Sequence, residues 1–93
     1  MATPLHYASR WGCIDAVQLL IKAGADINVK SNGFNPLHWA ALCGNTAAMQ
    51  LLIEAGADID ARSDIGLTPL HWAALCGNTA AIQLLIGAGA NVT

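Results

Sequence analysis

Between residues 36 and 54 the apolar positions fall into two helical stripes separated by Gly44. In the first, Leu37, Ala40 and Ala41 form one face, and Trp39, Leu42 and Cys43 fill most of the remainder. A helix apolar all round is buried on more than one side, as it is between two neighbours. In the second, Met49, Leu52 and Ile53 keep helical spacing, as Val17, Leu20 and Ile21 do earlier in the chain. The pattern predicts three pairs of helices. A short first helix ends near Gly12, Gly44 and Gly77, and a second spans roughly residues 14–23, 46–55 and 79–88.

The polar positions punctuate this pattern. Thr3, Asn35 and Thr68 are suited to cap a first helix, with Pro4, Pro36 and Pro69 at its first position. Asn45 and Asn78 are expected to cap second helices, and Asp15 lies in the first turn of the earliest one. Gly24, Gly56 and Gly89 are expected to stop them in the left-handed conformation. Gly87 replaces Glu54 of the preceding copy; a helical glycine costs about 1 kcal/mol relative to alanine, so the last helix is expected to fray. Residues 30–35 and 62–68 read as outward hairpins, the first one residue shorter and built on the tight-turn pair Asn32-Gly33.

The pattern is also a repeat. Residues 36–48 recur letter for letter at 69–81, and the identity runs on to Ile53 and Ile86, broken only by Met49 against Ile82. A degenerate copy occupies Pro4 to Gly12, and each proline is followed 20 residues later by Gly24, Gly56 or Gly89. Self-similarity at such a period marks a repeat array. Thr3-Pro-Leu-His6, Asn35-Pro-Leu-His38 and Thr68-Pro-Leu-His71 carry a resemblance to the ankyrin repeat. The Leu-Leu-Ile runs at 19–21, 51–53 and 84–86 and the Gly-Ala-Asp/Asn turns at 24–26, 56–58 and 89–91 extend it over essentially the whole chain. The resemblance implies an all-α solenoid of three stacked helix-turn-helix repeats joined by short β-hairpin loops. It would be one domain over residues 1–93, with repeats at approximately 1–30, 31–62 and 63–93.

Composition narrows the function. The chain is 55% hydrophobic and 11% charged, against roughly 25% charged in a typical soluble domain. Its net charge of −2, without a basic patch, argues against nucleic acid as a partner. From Ile65 onward there is no Asp, Glu, Lys or Arg, but Pro69, Gly77, Asn78 and Gln83 interrupt the stretch, so no membrane span is expected. No charged n-region precedes an apolar segment, so no signal peptide is expected. Cys43 and Cys76 hold the same place in adjacent repeats. Stacked helices lie roughly 8–10 Å apart, beyond the Cα separation of about 4.4–6.8 Å in a disulfide. Free thiols suit a reducing, intracellular and most simply cytoplasmic compartment.

Residues able to do chemistry read as structural. His6, His38 and His71 recur once per repeat, too far apart to bring nitrogens to about 2.0–2.1 Å from one zinc ion. The resemblance implies instead that each histidine hydrogen-bonds the adjacent turn. Cys43 and Cys76 suit packing or partner contact better than nucleophilic attack, and Cys13 falls outside their register. Asp15, Asp26, Glu54, Asp58, Asp60 and Asp64 lie mostly in turns, and no nucleotide, phosphate or metalloprotease motif is present. No catalysis, cofactor or metal is expected.

Trp39 and Trp72 read as inter-repeat core. The resemblance places the pairs Arg10-Trp11, Leu42-Cys43 and Leu75-Cys76 in a concave groove. It places Asn32, Phe34, Asp64, Ile65 and Leu67 at the variable hairpin positions. Together these eleven residues are the candidate partner-binding surface, and exposed apolar surface of this kind marks interaction sites. Asn28 stands where the family is sometimes hydroxylated. The implied partner is another protein. The alternative is self-association through uncapped ends, with part of the apolar surface formed by Leu75, Ile82, Leu85 and Ile86 lacking a neighbour on the last unit and a two-fold tail-to-tail dimer the expected form. Near-identical repeats also suit a designed array, but exposed cysteines and a shortened loop favour a natural sequence.

Overall fold

The computed structural model describes residues 2–92, which form six helices: α1 (Pro4–Trp11), α2 (Ile14–Lys22), α3 (Pro36–Cys43), α4 (Thr46–Glu54), α5 (Pro69–Leu75) and α6 (Thr79–Gly87). Each odd-numbered helix packs on the even-numbered helix that follows it. The pairs stack in series, α1 on α3 on α5 in one layer and α2 on α4 on α6 in the other. This is the all-α repeat solenoid expected from the sequence.

Each first helix starts with the same reciprocal cap. The Asn35 side chain accepts the His38 N–H at 2.9 Å, and His38 Nδ1 accepts the Asn35 N–H at 3.0 Å. Thr3 with His6 and Thr68 with His71 repeat the arrangement. Histidine thus does what glutamate does in a capping box, satisfying the cap's own N–H. The second helices stop one residue earlier than expected. Gly24, Gly56 and Gly89 follow at φ of 89°, 100° and 97°, the left-handed stop that the sequence implied. The glycine at 87 does not shorten α6, which has the same nine residues as α4.

One expected cap takes a different role. Asn45 makes no side-chain bond to α4. Its Nδ2 instead donates to the carbonyls of Ser9 at 3.0 Å and Arg10 at 2.6 Å. Those carbonyls lie in the last turn of α1, where Ser9 has only a long 3.4 Å bond from the Gly12 N–H, and the amide of the next repeat supplies a further donor. Asn78 does cap α6, accepting the Ala81 N–H at 3.0 Å.

The core runs along the seam between the layers. Leu5, Val17, Leu37, Met49, Leu52 and Leu85 are its largest apolar members. Helix α3, between α1 and α5, buries Leu37, Ala40 and Ala41 completely. Leu85 is also fully buried, at 0% exposure, as a member of the core cluster between the layers. Of the four residues whose surface was expected to be partly uncovered, Leu75 and Ile86 are exposed and Leu85 is not.

The connections are tight turns rather than developed hairpins. A single bridge, Ser31 with Phe34, is present among the described residues. Between them Asn32 and Gly33 both have positive φ, 55° and 80°, as a two-residue type I′ turn requires. In the second connection the Ser63 N–H donates to the Leu67 carbonyl at 2.9 Å, closing a three-residue loop whose last residue, Gly66, has φ 80°. The one-residue difference in length thus changes the turn class.

Candidate interaction groove

Two histidines fix where the turns sit. His6 Nε2 lies 2.7 Å from the Phe34 carbonyl, and His38 Nε2 lies 3.0 Å from the Leu67 carbonyl. In both rings Nδ1 accepts a backbone N–H, so the proton resides on Nε2 and is donated to the next turn. This is the turn-binding role that the resemblance implied. Burial of the His38 ring lowers its pKa from the ordinary 6.5, against the opposing pull of the Leu67 carbonyl. His71 makes the same cap, but it is exposed, and among the described residues no carbonyl meets its Nε2.

The anchored turns bring aromatic rings together. Phe34, its carbonyl held by His6, turns its ring inward to 5.6 Å from His38 and 5.5 Å from Trp72. Trp39 packs edge-on against His6 at 5.1 Å and Tyr7 at 5.5 Å. Arg10 reaches over from α1, its guanidinium carbon 5.4 Å from the Trp11 ring and 5.7 Å from the Trp39 ring. Both distances are within the reach of a cation–π contact. Phe34, Trp39, Trp72, Arg10, Leu42 and Asn32, with Ser31 and His38 at the base, enclose an open cavity of about 270 Å³.

Of the eleven residues expected on the partner surface, this cavity unites four: Arg10, Asn32, Phe34 and Leu42. Trp11 flanks it, 69% exposed, and Leu75 lies on α5 at 70% exposure. Cys43 and Cys76 are exposed, and the Cys76 thiol donates to the Leu42 carbonyl at 3.1 Å. Asp64 and Ile65 form the exposed tip of the second turn, and Asp64 lies against Gly33, so the two turns touch. Leu67 is half-buried; its carbonyl serves His38 and its N–H binds Ser63 Oγ at 3.2 Å.

Trp39 and Trp72 do more than the sequence expectation assigned them. Both pack between repeats, Trp39 on His6 and Tyr7 and Trp72 on Phe34 and the core, but they are half-buried and also wall the groove. Their spacing could have shown this: each lies three residues before Leu42 or Leu75, on the same helix face as that variable position. Trp72 also buries its indole N–H without an acceptor among the described residues. Asn28 bridges turns as well, accepting the Asp58 N–H at 2.7 Å and donating to the Gly56 carbonyl at 3.3 Å.

The arrangement presents apolar rings, one cation and exposed polar turn tips. No cluster of three His, Cys, Asp or Glu able to hold a metal ion occurs among the described residues. No helix of the described residues is long and apolar enough to cross a membrane.

Comparison with known proteins gives a consistent result. A family profile described as ankyrin repeats (3 copies) matches residues 28–93, and one described as ankyrin repeat matches residues 2–32. No curated protein matches the chain. Among solved structures, the crystal structure of the human ASB11 ankyrin repeat domain superposes with a TM-score of 0.95 at 33% sequence identity, over 99% of this chain. The present chain spans 42% of the length of that domain. With its histidine-capped helix pairs, turn-anchoring bonds and profile matches along its length, the chain belongs to the ankyrin repeat family.

Proposed function

We propose that this chain is a protein-recognition module, without catalysis of its own, whose partner sits in the groove between the turns and α1, α3 and α5. Ankyrin repeats are generally protein–protein interaction modules and are typically non-catalytic. The observation that carries the groove assignment is the cavity walled by Phe34, Trp39, Trp72 and Leu42, an apolar recess held open by buried histidine bonds. Such a scaffold loses little conformational freedom on binding, so more of the contact energy appears as affinity. The exposed thiols of Cys13, Cys43 and Cys76 suit a reducing, intracellular setting. Selection of a random-peptide display library on the immobilised chain tests this. The expected binders lose affinity for the Leu42→Glu, Leu75→Glu double variant, which keeps its helical circular dichroism because both side chains are exposed. Binders indifferent to the double variant overturn the assignment.

A second reading rests on a different face. Leu70, Ile82, Ile86 and Val92 line an open recess of about 310 Å³ beside His71, on the α5–α6 pair. A second copy covering this face would make the chain a self-associating element. Light scattering decides: mass that rises with concentration supports it, and a constant monomer mass removes it.

A further inference from the structure

We propose that the groove recognises an acidic–apolar segment of its partner: an Asp or Glu side chain held by Arg10, beside an apolar side chain seated between Phe34, Trp39 and Trp72. The inference rests on the groove assignment above and names the chemistry of the occupant. Its first support is charge. Arg10 lines the cavity, and among the described residues no carboxylate pairs with it. Helices α3 and α5, which form the neighbouring walls, contain no Asp, Glu, Lys or Arg.

Its second support is orientation. The guanidinium carbon lies over the rings of Trp11 and Trp39, at 5.4 and 5.7 Å. Ring contacts engage the faces of a guanidinium and leave its N–H edge for a ligand. That edge is a planar fork matched to a carboxylate, and held by two indoles it loses little freedom on pairing.

Its third support is size. A cavity of about 270 Å³ is small for a drug-sized ligand. At roughly 30 Å³ per water-sized group it has room for about nine such groups, enough for one leucine or aromatic side chain. A cationic side chain would meet Arg10 at the rim, and an apolar segment without an acid would leave the Arg10 fork unpaired.

Peptides enriched on the immobilised full chain provide the probe. Each is synthesised with its Asp or Glu and with the matched Asn or Gln, carries an amidated C-terminus, and is measured by fluorescence polarisation. Wild type should prefer the acidic peptide about tenfold or more, the ratio expected of a charged hydrogen-bond pair. Arg10→Gln should abolish the preference, and Arg10→Lys, which keeps the charge but not the fork, should retain only part of it. Arg10 is exposed, so both variants should keep the wild-type circular dichroism. A preference that persists in Arg10→Gln overturns the inference, as does a requirement for the free C-terminal carboxylate. Acid-free binders that depend on Leu42 and Leu75 overturn it while leaving the groove assignment standing. Binders indifferent to those leucines, or no enrichment at all, overturn both.

Discussion

His38→Ala removes a side chain that is 1% exposed and holds two backbone groups. Its Nδ1 accepts the Asn35 N–H at 3.0 Å and its Nε2 donates to the Leu67 carbonyl at 3.0 Å. Alanine leaves the Asn35 N–H without a partner and takes from the Leu67 carbonyl one of its two donors, the Ser63 N–H at 2.9 Å remaining. The unpaired N–H costs roughly 1–3 kcal/mol and the lost bond to a carbonyl that keeps another donor about 0.5–1.5 kcal/mol, so the expected loss is about 2–4 kcal/mol. His71→Ala is the internal control. It loses the same cap bond, to the Thr68 N–H at 2.9 Å, but His71 is exposed and, among the described residues, reaches no following turn. Its expected loss is that of a cap alone, about 1 kcal/mol. In a domain of this size 1 kcal/mol moves Tm by roughly 4–8 °C, so His38→Ala should lower Tm by about 8–32 °C and His71→Ala by about 4–8 °C. Thermal melts followed by circular dichroism measure both. Sucrose, which strengthens burial, keeps the weaker variant in range. Equal losses for the two variants would refute the claim that the bond across repeats is the larger contribution.

Three further outcomes follow from particular contacts. Gly33→Ala should destabilise more than Gly66→Ala in urea unfolding. Both have φ of 80° and bear the left-handed cost of about 1–2 kcal/mol, but only at Gly33 would the new Cβ meet Asp64; equal losses would contradict the contact between turn tips. Leu85→Glu should unfold the last helix pair while Ile86→Glu keeps wild-type helicity, since Leu85 is 0% and Ile86 49% exposed; a folded Leu85→Glu variant would contradict the core assignment. Burial lowers the His38 pKa below 6.5, so the unfolded chain takes up that proton first. The contribution of His38 is complete above about pH 6.5 and is lost as pH falls through the folded pKa. The stability difference between wild type and His38→Gln should therefore narrow on acidification, and a constant difference would count against it.

What the sequence made legible was local. Thr3, Asn35 and Thr68 act within three residues of themselves, and Gly24, Gly56 and Gly89 need only their own backbone geometry, so caps and stops could be read directly. Asn45 could not. Its local role as a cap competes with the distant carbonyls of Ser9 and Arg10, and only the stacking of repeats decides between them. Leu85 and its neighbour Ile86 are both apolar, and which of them faces the seam depends on how α6 rotates against α5. The groove was legible in part. Arg10, Asn32, Phe34 and Leu42 came from positions implied by the family resemblance, yet the cavity also depends on Trp39 and Trp72, read as core. Phe34 points inward because the shortened turn and the His6 bond fix its backbone, and that combination has no signature in a single repeat.

Hydrogen–deuterium exchange on the full chain, with and without the tightest selected peptide, tests the central claim that the partner occupies the groove. The account predicts added protection in the first turn, residues 31–34, and at the ends of α1 and α3 near Arg10 and Leu42, with α2, α4 and α6 unchanged. Protection confined to the outer helices, or to the open face around Leu70 and Val92, would contradict it.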